Sequence, residues 1–193
     1  MAISQLSSFS TAFKEWACVV RALGKGEQTI IFRKGGIHEN KFSAEHEGFF
    51  LFSTYEHQKM EDLNPRGKEI LEESQIQKPA ADAEFAWIEY FAQLEDVFHV
   101  TDLAKLDPIN SFHIWAPSAL EKRFHYGDAP GLCLMVVRVF RMPQREKLLW
   151  HPDYNGCKSW IDLKEPIRIS GMVPVISPSR FAETQEVLRA HLR

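Results

Sequence analysis

Short apolar runs, broken by glycine, proline and clusters of charge, set the reading of this chain. Trp16 to Leu23 is apolar and contains β-branched Val19 and Val20; Gly24-Lys25-Gly26-Glu27 and then Thr29-Ile30-Ile31-Phe32 follow. That succession predicts a β-hairpin whose glycines supply the positive φ of a tight turn. A helix from about Ser10 into Val20 is the competing pattern, because Ala12, Trp16, Val19 and Val20 also fall on a helical stripe. The hairpin is preferred, with helix confined to the first dozen residues. Phe49-Phe50-Leu51-Phe52 has the continuous apolar character of a buried strand. Asn64 before Pro65 is a favourable N-cap and first helical residue, so a charged helix is expected from Arg66 to Gln77, ending before Pro79.

Phe85 to Val100 alternates only in part, as one long strand or two strands joined by a bulge would. Asp102 to Leu106 is at most a short helix, and Pro117 to Phe124 is another. Leu132 to Phe140 is apolar on both faces and predicts a central strand, with a loop from Pro143 to Asn155 after it. Ser159 to Leu163 is a further strand, Met172 to Val175 an edge strand because of Pro174, and Ser177 to Leu192 a terminal helix. Strands outnumber helices and do not alternate with them. The fold class is therefore α+β: a mixed, mainly antiparallel sheet with an N-terminal hairpin and a few flanking helices.

A length of 193 residues at 45% apolar composition supports one sizeable core. Residues 1–193 are read as a single domain, with a core over about 13–176 and the C-terminal helix over about 178–192. The formal net charge of -3 argues against a general electrostatic grip on nucleic acid or on an anionic membrane, so any polyanion binding has to be local. Cys18, Cys133 and Cys157 are widely spaced and odd in number, which suits free thiols in a reducing compartment. Met1 to Phe13 has no basic stretch followed by an apolar run, and nothing later has the length of an apolar membrane span; the cytoplasm is the expected location, without a membrane partner.

Ionisable residues are densest between Arg33 and Gln58. Arg33-Lys34-Gly35-Gly36 combines two cations with glycine amides, the ingredients of an anion-holding loop, although it matches neither a P-loop nor a dinucleotide fingerprint. His38, Glu39, Glu45, His46, Tyr55, His57 and Gln58 flank the apolar strand. His38, Glu45, His46 and His57 are imidazole and carboxylate groups suited to a divalent metal as cofactor, at a spacing that matches no compact zinc signature. Surface histidines and glutamates are the plainer reading of the same residues. His57 and Glu39 are the candidate catalytic pair, as ligand or as general base. Arg138, inside an apolar strand, needs a carboxylate or a ligand as partner. Without a basic stripe, the five tryptophans read mostly as core.

Lys68-Glu69-Ile70-Leu71-Glu72-Glu73 resembles the carboxylate spacing of the magnesium-binding helix of Nudix hydrolases, with lysine where that family usually has arginine. The upstream part of that motif is absent: Thr54 and Gln75 stand where glycines are expected, and Met60 where a glutamate is. A solvated helix face explains the same residues.

The segments FKEWACVVRALGKGEQTIIFRKGGIHEN, FFLFSTYEHQ, GLCLMVVRVFRMP and GCKSWIDL resemble the bacterial family of unknown function numbered 1802, across roughly Phe13 to Val175. This chain has Ser53 where that family usually has proline. The resemblance implies one continuous domain and carries no activity. The residues themselves point to an anionic ligand, a nucleotide or nucleic-acid phosphate. It would be held by Arg33, Lys34, Gly35, Gly36, Tyr55, Gln58 and Arg138. Three functional classes stay open: a metal-assisted phosphoester hydrolase, a non-catalytic interaction module for a ligand or protein, and a degenerate Nudix-like pyrophosphohydrolase. Oligomeric state is not legible.

Overall fold

A computed structural model describes residues 8–34, 47–80, 83–127, 129–156 and 158–193. Strand β1 (Ser8–Trp16) runs directly into helix α1 (Ala17–Lys25), and β2 (Ile30–Arg33) and β3 (Gly48–Thr54) follow. Helix α2 (Pro65–Ile76), the long strand β4 (Phe85–Val100) and helix α3 (Pro117–Phe124) come next. Then come the long strand β5 (Leu132–Leu149), β6 (Trp160–Arg168), the two-residue β7 (Val173–Pro174) and helix α4 (Pro178–Leu192). The strands form one seven-stranded sheet in the order β2-β5-β4-β3-β1-β6, with β7 paired to β5. Only β1 and β3 pair in parallel among the described strands. This is the expected α+β class with a mixed, mainly antiparallel sheet. Among the described residues, no helix is long and apolar enough to cross a membrane.

The N-terminal hairpin is not formed. Residues 8–16 are a strand and residues 17–25 a helix, so the expected initial helix is absent from the described part as well. The physical reason lies in Arg21 and Lys25, which stand one turn apart and both reach Glu73 on α2, while seven of the nine residues of α1 are buried. The tract read as a hairpin turn is a helix C-terminus: Gly26 has φ 70, its N–H donates to the Leu23 carbonyl, and the Glu27 N–H donates to that of Ala22.

The loop expected from Pro143 is also replaced, because β5 continues to Leu149. Tyr90 pairs with Arg141 and Ile88 with Glu146, so residues 142–145 form an excursion on β5 where Pro143 sits outside the regular ladder.

Both faces of the sheet are covered. Phe13, Val19, Leu23, Ile31, Leu51 and Val137 belong to the core beneath the helices, and Ala12, Phe50, Phe52, Ile88, Phe91 and Ile161 to a second core on the opposite face. That division explains the unbroken Phe49-to-Phe52 run, since Phe49 and Leu51 point one way and Phe50 and Phe52 the other.

Candidate functional site: a cleft between α1, α2 and the β4–β5 ribbon

The residues at the end of β3 serve mainly to hold the β1–α1 junction. The N-cap of α1, Trp16, provides no side-chain cap; instead the Oε1 of Gln58 accepts the Cys18 N–H at 3.0 Å, and the Nε2 of Gln58 donates to the Tyr55 carbonyl at 3.3 Å. Thr54 Oγ1 donates to the Glu15 carbonyl at 3.0 Å. His57 occupies an exposed turn with φ 62, in the left-handed region. The Cys18 thiol is buried against this junction and pushed up to about 12, first by desolvation and then by Glu15, so it is an inert thiol at neutral pH.

Arg33 and Lys34 end β2. The Arg33 guanidinium lies 4.1 Å over the Phe13 ring, and its Nη2 donates to the Lys14 carbonyl at 2.9 Å. The Lys34 ammonium donates to three carbonyls, those of Phe124 at 2.8 Å, Ala129 at 2.6 Å and Gly131 at 3.1 Å. It thereby clamps the C-terminus of α3, where a cation is favoured by the helix dipole. Gly35, Gly36, His38, Glu39, Glu45 and His46 lie outside the described residues, and so do the anion loop and most of the metal set that they compose. Among the described residues, no group of three or more His, Cys, Asp or Glu side chains is placed to hold a metal ion.

Arg138 does not join Arg33 and Lys34. Arg33 pairs with Cys133, and Arg138 is five residues further along β5, roughly 17 Å at the usual strand rise. Its guanidinium lies 5.4 Å from the Phe140 ring and 5.9 Å from that of Phe181, under α4. Burial raises the Glu95 carboxyl above its ordinary value, and Arg138 acts in the opposite direction, so Glu95 is the carboxylate that senses it.

A concave site among the described residues is a cleft floored by Ala17, Val20 and Leu51, with Ser74, Gln77 and Pro79 along the α2 side. Arg21, Tyr55, Trp87, Glu89, Tyr90 and Arg145 supply its chemistry. Of the residues singled out from sequence, Tyr55 lines it; Arg33, Lys34, His57, Gln58 and Arg138 do not. The Tyr55 Oη donates to the Gln77 carbonyl at 3.4 Å. Both phenols, Tyr55 and Tyr90, are raised above the ordinary tyrosine range, by burial first and by Glu89 second, so both are hydrogen-bond donors at neutral pH. Arg21 is anchored through Nε to Glu73 at 2.8 Å. Lys25 and then Arg21 hold the Glu73 carboxyl down to about 2.

Arg145 and Trp87 form the rim. The guanidinium is 3.9 Å over the indole, and no carboxylate lies within 4 Å of it among the described residues. The pairing repeats one step along the ribbon, where Lys147 Nζ lies 4.5 Å over the Phe85 ring, and the Phe85 and Trp87 rings meet edge to face at 5.4 Å. These are the residues that sequence reading missed. Their signal is the two-residue alternation of Phe85, Trp87 and Glu89 on one strand and of Arg145 and Lys147 on another, which becomes a basic and aromatic stripe only after β4 pairs with β5.

The Nudix-like reading is corrected by α2. Glu69 and Glu72 face solvent, Glu69 bonded to Arg66, while Glu73 is committed to Arg21 and Lys25. The three carboxylates are charged surface of a helix rather than a lining of the cleft.

The family model for "Domain of unknown function (DUF1802)" matches residues 12–187, and the chain belongs to this family. No curated protein matches it. Among solved structures it is similar to the crystal structure of ASCH from Zymomonas mobilis, at 10% identity and a TM-score of 0.47, over 80% of this chain and 87% of that one.

Proposed function

We propose that the protein is a binding domain for an anionic ligand, a nucleotide or a phosphate of nucleic acid, and that the cleft between α1, α2 and the β4–β5 ribbon receives it. The observation that carries this reading is Arg145, held 3.9 Å over Trp87 at the cleft rim with no carboxylate partner among the described residues. A guanidinium fixed on an indole keeps its planar fork of donors for an oxyanion and has already lost the freedom that binding would otherwise remove. Arg21 adds a second cation from α1, and the Tyr90 phenol supplies a donor.

The test is equilibrium binding of pyrophosphate and of nucleoside monophosphates, followed by calorimetry. Arg145→Ala is expected to weaken binding by on the order of tenfold, and raised salt to weaken the wild type in the same direction. Equal affinities for the wild type and Arg145→Ala would overturn the reading.

A further inference from the structure

Glu89 is the feature of the cleft that an anion site leaves unexplained. It lines the same pocket as Arg21 and Arg145, is half-buried, and makes no hydrogen bond or ion pair among the described residues. Its presence there is built into the strand. The register shift between Ile88 and Tyr90 breaks the alternation of β4, so that Glu89 and Tyr90 both reach the helix side while Ile88 and Phe91 pack into the opposite core. A regular strand would send one of the pair to the other face.

An inorganic phosphate or pyrophosphate in this cleft would meet Arg21 and Arg145 favourably and the Glu89 carboxylate unfavourably. A ligand that is anionic at one end and carries neutral O–H or N–H donors at the other satisfies all three groups at once. From this juxtaposition we infer that Glu89 selects a nucleoside phosphate over a bare phosphate: the arginines take the phosphate, and the Glu89 carboxylate accepts from sugar hydroxyls or a base amine. The inference rests on the cleft reading above and deepens it. Hydroxyl and amine donors suit a carboxylate acceptor because the charged acceptor makes the stronger hydrogen bond, and a carboxylate left facing an anion loses that bond and adds repulsion.

The experiment measures affinities of the full chain for adenosine 5′-monophosphate, ribose 5-phosphate and inorganic pyrophosphate, in the wild type, Glu89→Gln and Arg145→Ala. Thermal midpoints establish that each variant is folded. The wild type is expected to bind the nucleotide on the order of tenfold or more tighter than pyrophosphate. Glu89→Gln is expected to weaken nucleotide binding and leave pyrophosphate equal or tighter, so that the ratio falls severalfold. Arg145→Ala is expected to weaken all three probes. If Arg145→Ala weakens pyrophosphate but the wild-type ratio is near one, or is unchanged by Glu89→Gln, this inference is overturned while the cleft reading stands. If no probe binds, or Arg145→Ala changes nothing, both fall.

Discussion

The Tyr90 ring lies so close to the backbone of Gly24 that a Cβ on that glycine would stand 2.2 Å from the ring Cζ and 2.6 Å from the hydroxyl oxygen. Helix α1 therefore approaches β4 across a position where no side chain fits, and Arg141 fastens the contact by donating to the Gly24 carbonyl at 3.0 Å. The same ring lines the cleft, so the glycine sets the position of a cleft wall. Gly24→Ala is expected to destabilise the protein by about 1–3 kcal/mol despite alanine's higher helix propensity, because the ring has to be displaced. In a Tyr90→Leu background the same change should cost much less, and a double-mutant cycle from urea unfolding reads the coupling. Equal costs in both backgrounds would show that the contact does not set the glycine.

Gln58 acts as a borrowed cap. Substituting it by alanine removes the acceptor for the Cys18 N–H at the start of α1 and the donor to the Tyr55 carbonyl. The expected loss is about 1 kcal/mol, the usual magnitude for an N-cap, with a smaller loss for Gln58→Glu because a carboxylate still accepts and suits the positive end of the helix. Chemical denaturation midpoints of the two variants check the order.

Much of the fold is legible where local chemistry decides it. Asn64 accepts the Gly67 N–H just ahead of Pro65, as its place in the sequence predicts, and Phe49 to Phe52 and Leu132 to Val137 are buried on both faces as their composition requires. The α1 segment satisfies both periods, and tertiary packing decides between them: seven of its nine residues are buried, and Arg21 and Lys25 reach Glu73 about fifty positions away. The cleft is less legible still. Glu89 and Arg145 share a wall because the pairing of β4 with β5 joins distant parts of the chain, and that pairing leaves no compact motif. Of the expected ligand residues that are described, Tyr55 alone reaches the cleft, and the densest ionisable stretch lies largely outside the described residues.

Lys34 separates two roles that a sequence cannot. Its ammonium donates to the carbonyls of Phe124, Ala129 and Gly131, and Lys34→Met would leave those three acceptors without it. The expected outcome is faster amide exchange around the C-terminus of α3, together with phosphate affinity equal to that of the wild type. Lost affinity with unchanged exchange would return Lys34 to the ligand site.

His113 gives the protein a specific acid sensitivity. It is 3% exposed, its Nδ1 accepts the Trp115 N–H at 3.2 Å, and its ring meets that of Phe32 edge to face at 5.1 Å. Burial pushes its pKa down from 6.5 to about 4. The folded state thus takes up this proton less readily than the unfolded state, where the imidazole has its ordinary value. Stability from this group is complete above about pH 6.5 and falls with pH until about 4, below which both states are protonated. Between pH 7.5 and pH 5 the linkage amounts to about 2 kcal/mol. His113→Asn keeps an acceptor near the Trp115 N–H and removes the titration. It is expected to be less stable than the wild type at pH 7.5, from lost packing, and to lose about 2 kcal/mol less on going to pH 5. Urea midpoints at the two pH values decide this, and parallel losses in the two proteins would mean that the acid sensitivity resides in carboxylates rather than in His113.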